Sequence, residues 1–205
     1  MPVSAVNPRP GLSFSHVGLF VTDISRMVAF YDGELDFTVT DRGELDTPGG
    51  RRQLAFLSRD PNEHHQLVLV SGRPAEVGFN VINQLSLRAD SIATLKTLVA
   101  RLHAFGIPDV QPVTHGNALS VYAPDPEGNR LELFVDLPWY VLQPLRVPVD
   151  LDQPQDRLMQ WLEAHARKLP GFQPASEWRA AIEARMIARA AERAAERATE
   201  RDQRP

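Results

Sequence analysis

The order strand, helix, strand, strand, strand occurs twice in succession in this chain, and that repetition limits the fold more than any single motif. The first copy opens with "FSHVGLFVTD", whose β-branched and aromatic alternation predicts a strand over Ser13 to Thr22. Asp23 or Ser25 can cap the helix that follows, with Met27, Val28, Phe30 and Tyr31 as its apolar face. "DFTVTDRG", "RRQLAFLSR" and "HHQLVLVSG" then read as three strands. The second copy starts at "INQLSLRAD", continues through the helix "SIATLKTLVARLHAFG" with its stop at Gly106, and ends with the strands "DVQPVTHG", "ALSVYAPD" and "NRLELFVD". Asp23 and His65 are 42 positions apart, as are Asp90 and Glu132. One such unit leaves a sheet face uncovered, and two can close on one another. The predicted fold is therefore α+β: two βαβββ modules pairing into a curved mixed sheet around a cavity for metal and substrate, with a helical C-terminal extension.

The boundaries follow composition. Residues 1–12 are a proline-rich arm, 13–75 the first module, 80–137 the second, and 138–205 a proline-punctuated connector and helical tail. In the tail, "QDRLMQWLEAHARKL" predicts a short amphipathic helix, and a second is expected from near Ser176 into "RAAERAAERATERDQRP". That last run has supporting Glu/Arg spacings but little to bury, so fraying is expected. With 43% hydrophobic and 23% charged residues, the chain can bury a core. It has no cysteine, which removes disulfides, thiolate metal sites and thiol nucleophiles. A net charge of −4 offers no basic field for nucleic acid. Neither a signal-peptide pattern nor an apolar run long enough for a membrane is seen, so the expected location is cytoplasmic, without membrane partners.

Alternate strand residues share a face. By that parity the first and last strands of the two copies each offer one polar side chain at matching positions: His16 and His65, then Gln84 and Glu132. Imidazole, amide carbonyl and carboxylate form an N/O donor set suited to divalent iron, manganese, zinc, nickel or cobalt. Plainer readings exist for each. His16 could be a core histidine, His65 beside His64 an exposed strand end, and Tyr122 a packed aromatic. Gln84 could bond backbone groups, and Glu132 could pair with Arg130 on its own face. "DPEGN" reads as a turn, with Asp125, Pro126 and Gly128 as its formers.

The motifs "HVGLFVTD", "HHQLVLV", "INQLSLRAD" and "LSVYAPDPEGNRLELF" resemble those of the vicinal oxygen chelate superfamily, which includes glyoxalase I, fosfomycin-resistance enzymes and extradiol ring-cleaving dioxygenases. The chain is most similar to the single-domain type I extradiol enzymes. That resemblance implies metal ligands at His16, Gln84 and Glu132, with glutamine where the group has histidine. It implies acid–base work at His65, a substrate hydrogen bond from Tyr122, and a looser polar role for His115. The implied cofactor is Fe(II), with Mn(II), Zn(II), Ni(II) or Co(II) as alternatives. The implied reaction is extradiol cleavage of a catechol-type aromatic diol with O2, in a homodimer or larger homo-oligomer. The glyoxalase-like branch implies instead four ligands, His16, His65, Gln84 and Glu132, and isomerase or lyase chemistry on a carbonyl substrate. A non-catalytic small-molecule binder on the same fold is the third expectation.

Overall fold

The computed structural model describes residues 13–76 and 78–202, so the predicted arm over residues 1–12 lies outside the described residues. The first module consists of β1 (Val17–Val21), α1 (Ile24–Gly33), β2 (Thr38–Thr47), β3 (Gly50–Ser58) and β4 (Leu67–Ser71). The second repeats it with β5 (Leu85–Arg88), α2 (Ile92–Phe105), β6 (Gln111–Thr114), β7 (Ala118–Pro124) and β8 (Arg130–Asp136). Strand order is the same in both, β1-β4-β3-β2 and β5-β8-β7-β6, and in each the first strand runs parallel to the last.

The helices also begin alike. Asp23 caps α1 by accepting from the Arg26 amide, and Ser91 caps α2 by accepting from the Thr94 amide. These caps lie 68 residues apart, the separation that also relates His16 to Gln84. Gly106 ends α2 at φ 87°, a left-handed conformation natural to glycine.

Each helix covers one face of its sheet. Met27, Val28, Phe30 and Tyr31 of α1 and Leu95, Leu98 and Leu102 of α2 join Leu19, Leu57, Leu69, Leu131 and Leu133 in one continuous core. The opposite faces carry the polar candidates. The two sheets are hydrogen-bonded separately, and the modules meet through this core and through a polar clamp.

The clamp is built from "DPEGN". Asp125 Oδ1 accepts from the amides of Glu127 and Asn129, and Gly128 takes φ 78°, so the turn forms as its residue types predict. The turn has a second task that turn chemistry does not signal. The Glu127 carboxylate accepts from the Thr22 amide at 2.7 Å and the Asp23 amide at 2.7 Å, at the entry to α1 in the other module. Arg73 reaches the same carboxylate at 3.6 Å and donates to Asn80 and Asn129.

Nearby, the buried Tyr31 hydroxyl donates to Asp125 Oδ2 at 3.2 Å. Burial, and then the Asp125 charge, holds the Tyr31 phenol well above its ordinary value, and burial raises Asp125 as well. The unfolded chain ionises this phenol near pH ~10 while the folded chain does not, so stability falls as pH rises above that point. Titration followed at 295 nm is expected to show the Tyr31 phenolate only together with loss of the circular dichroism signal. Replacing Tyr31 with Phe should remove that alkaline instability. If all three tyrosines ionise near pH ~10 in the folded protein, the assignment is wrong.

Three of the strands begin later than the sequence alternation suggests. β1 starts at Val17, β4 at Leu67 and β5 at Leu85, so His16, His65 and Gln84 stand just ahead of their strands. Glu132 and Tyr122 lie within theirs. In the C-terminal extension, β9 (Trp139–Tyr140) pairs with β11 (Gln173–Pro174), and β10 (Val147–Pro148) extends the second sheet along β6. Helix α3 (Gln155–Ala166) buries Leu158 and Leu162. Helix α4 (Ala175–Asp202) is continuous where fraying was expected, with Arg189 pairing with Glu192 and Glu196 along its exposed length. Among the described residues no helix is long and apolar enough to cross a membrane.

Candidate functional site

Ladder register places Gln111, Tyr122, Glu132 and Ser86 in one cross-strand row on the helix-free face of the second sheet. The equivalent row of the first sheet, reached from Ser86 by the same 68-residue shift to Gly18, is Gly18, Val68, Phe56 and Asp41. Glu132 therefore corresponds to Val68, and Tyr122 to Phe56. The polar chemistry of this row sits in the second module.

Glu132 is buried and is the centre of the site. Its Oε1 accepts from the Tyr122 hydroxyl at 2.9 Å. Its Oε2 accepts from Gln84 Nε2 at 2.7 Å and from Ser86 Oγ at 2.6 Å. His115 Nε2 lies 3.0 Å from the Tyr122 oxygen and 3.5 Å from Glu132 Oε1. The other His115 nitrogen, Nδ1, faces the Leu145 carbonyl at 2.5 Å, and the Gln143 amide donates to the His115 carbonyl at 2.6 Å. Both contacts come from the connector, which thereby fixes the imidazole. Burial, and next the hydrogen bond with Glu132, raises the Tyr122 phenol above its ordinary value.

The predicted residues thus fall into two sets. Gln84, Tyr122, His115 and Glu132 are brought together, with the Gln84 amide nitrogen committed to Glu132. His16 and His65 form the other set, their rings 4.3 Å apart, with His64 Nδ1 2.9 Å from His65 Nδ1 and Phe56 against the His65 ring. Burial, and then the neighbouring His16 charge, lowers His65 below the usual histidine value. Among the described residues no hydrogen bond, ion pair or ring contact joins the two sets. Nor do three or more His, Asp or Glu side chains gather closely enough to hold a metal.

The plain alternative for Glu132, a pair with Arg130, is not what forms. Arg130 instead stacks over the Tyr122 ring at 4.1 Å, and Arg146 lies 5.7 Å from the same ring. Ser86 is a further member of the site, and its two-residue spacing from Gln84, which puts both on one strand face, is the signal that could have found it. The connector's hold on His115 had no sequence signal, since a backbone carbonyl accepts a hydrogen bond whatever the residue type.

A cavity of about 890 Å³ opens between the modules, lined by Phe14, Val17 and Phe37 on one side and Ile82, Gln84 and Ser86 on the other. Of the Glu132 cluster, Gln84 and Ser86 reach it; Leu131 and Leu133 border it from the opposite face of β8, and Asp36, Arg59, Arg88 and Asp90 add charge to its lining.

The Glyoxalase/Bleomycin resistance protein/Dioxygenase superfamily matches residues 13–133, which comprise most of the two modules and leave the extension outside. Biphenyl-2,3-diol 1,2-dioxygenase 2 of Rhodococcus globerulus is 28% identical over 127 residues, 60% of this chain and 62% of that protein. The chain thus spans less than two thirds of that relative's length. Uncharacterized protein YwbC of Bacillus subtilis (strain 168) is 25% identical over 120 residues, covering 58% of this chain and 94% of its own. Among solved structures, a glyoxylase/bleomycin resistance protein/dioxygenase domain from Frankia sp. EAN1pec superposes with a TM-score of 0.53 at 23% identity, covering 62% of this chain and 93% of that one.

Proposed function

We propose, because the chain belongs to the Glyoxalase/Bleomycin resistance protein/Dioxygenase superfamily and carries this Glu132 cluster, that it is a metal-dependent dioxygenase-like enzyme performing extradiol cleavage of a catechol-type aromatic with O2. The observation that carries the reading is the convergence of Tyr122, Gln84, Ser86 and His115 on one buried carboxylate. The likeness to the Rhodococcus globerulus dioxygenase points the same way. The four-ligand, glyoxalase-like alternative draws its fourth ligand from His65, which stands beside His16 but off the register of Glu132, whose equivalent in β4 is Val68.

His16, Gln84 and Glu132 are the residues that would hold the metal; an imidazole, an amide and a carboxylate suit a divalent ion in kind, and holding one would require His16 to be brought to the Gln84 and Glu132 pair. A bound ion would supply Lewis acidity and an electron path between diol and O2. The protein's own groups supply the rest. Tyr122 fixes the carboxylate by donating to Oε1, and Ser86 and Gln84 hold Oε2. Facing the Leu145 carbonyl, His115 Nδ1 carries hydrogen, and Nε2 faces the Tyr122 oxygen, whose one hydrogen is given to Glu132. His65, with its lowered proton affinity, is suited to stand neutral near pH ~7 and accept a proton from a diol hydroxyl.

The test is metal analysis coupled to oxygen uptake. Protein purified without chelator should retain about one divalent ion per chain. After anaerobic loading with Fe(II), it should consume O2 with a panel of catechols and form a yellow ring-fission product. Retained metal with no uptake across the panel would move the assignment to the glyoxalase-like chemistry. An empty site after loading would leave a small-molecule binder.

A further inference from the structure

The proposed function leaves the two guanidinium groups beside Glu132 without a task. Arg130 is exposed, and among the described residues its side chain interacts with the Tyr122 ring. Arg146, also exposed, approaches the same ring and donates to Gln111 Oε1 at 2.9 Å. Some arginines find acids, Arg51 with Glu44, Arg88 with Asp136 and Arg101 with Asp36, while Arg52 and Arg59 donate to backbone carbonyls. Among the described residues Arg130 and Arg146 have no such carboxylate partner. Arg130 is two residues from Glu132 along β8 and on its face, yet it stays on the aromatic ring.

Two cations held against one ring, next to a site whose central group is an anion, have a chemical consequence. A neutral substrate would need neither of them. A substrate with its own negative charge would be repelled by Glu132 unless cations stood beside it. Guanidinium groups suit that work, because their planar fork matches a carboxylate through paired hydrogen bonds. Stacking on Tyr122 restrains both side chains beforehand, so less freedom is lost when an anion docks.

We propose that Arg130 and Arg146 form an anion subsite beside Glu132, and that the substrate is an aromatic diol bearing a carboxylate substituent. The inference rests on the proposed function for the diol, while the anion subsite rests on the arginines alone. Arg146 belongs to the connector, outside the residues 13–133 that match the superfamily. Substrate choice is thereby placed partly in the C-terminal extension.

The experiment is equilibrium binding to the full chain, without O2, of three probes: 3,4-dihydroxyphenylacetate, its methyl ester, and phenylacetate. The acid should bind about tenfold tighter than its ester, the scale of one charge-assisted contact on a partly exposed site. That ratio should shrink as salt screens the cations. In Arg130→Gln, Arg146→Gln and the double variant, each checked by circular dichroism, it should fall toward one. Arg130→Lys should keep part of the ratio, since charge is retained without the planar fork. Equal binding of acid and ester by the wild type, or an unchanged ratio in the double variant, overturns the subsite. If phenylacetate binds as well as the diol acid, and both depend on the arginines, the subsite stands and the diol reading fails.

Discussion

Replacing Glu132 with alanine is expected to abolish metal retention and to lower oxygen uptake on any catechol by at least about 10³-fold, the scale of losing a ligand that fixes both charge and geometry. The reason lies in how many groups this carboxylate organises. Tyr122, Gln84 and Ser86 all donate to it within 2.9 Å, and His115 stands 3.5 Å away. Without the acceptor, the buried Tyr122 hydroxyl loses this partner at a cost of about 1–3 kcal/mol, while half-buried Gln84 and exposed Ser86 can turn to water. Some loss of thermal stability should therefore accompany the loss of activity. Glu132→Gln separates the effects: it keeps the volume and one carbonyl oxygen, so stability should largely return while metal retention stays lost. Metal content by elemental analysis and melting temperature by circular dichroism give the two readouts. Should Glu132→Ala retain its metal, the donor set would have to be sought around His16, His64 and His65 instead.

Much of the fold was legible because the two copies repeat both alternation and punctuation. Asp23, Ser91 and Gly106 act through local backbone geometry, which residue type alone discloses. The three strand starts were less legible, since alternation continues through His16, His65 and Gln84 although pairing begins later. Where a ladder begins depends on the partner strand, which lies some 50 residues away in sequence for β1 and β4. Glu132, Tyr122 and Gln84 could be grouped because strand parity and a family resemblance both point to them. The stacking of Arg130 and Arg146 on Tyr122 could not, because it joins β8 to a connector with no regular period. Glu127 is the sharpest case. "DPEGN" explains itself as a turn, and nothing local shows that its glutamate holds the backbone entering a helix 104 residues earlier.

That glutamate supports the second large prediction. Glu127→Ala should lower the unfolding free energy by about 2–4 kcal/mol, somewhat under the cost of breaking a fully buried ion pair. For a chain of this size the melting temperature should fall by roughly 5–12 °C. Three terms add here. The amides of Thr22 and Asp23, both at 2.7 Å, lose their acceptor at a helix entry where the backbone dipole favours negative charge. The Arg73 guanidinium, 15% exposed, keeps its desolvation but loses the facing carboxylate at 3.6 Å. The joint between the modules also loosens, and that joint sets how the first module's His16 and His65 stand relative to Glu132 in the second. Activity should therefore drop with stability, although Glu127 touches neither histidine. Removing Arg73 as well, as Arg73→Met, should recover part of the stability loss, because the uncompensated charge goes with it. Recovery of stability without recovery of activity would mark the clamp as a positioning device. A melting temperature unchanged in Glu127→Ala would mean that the core alone holds the two modules together.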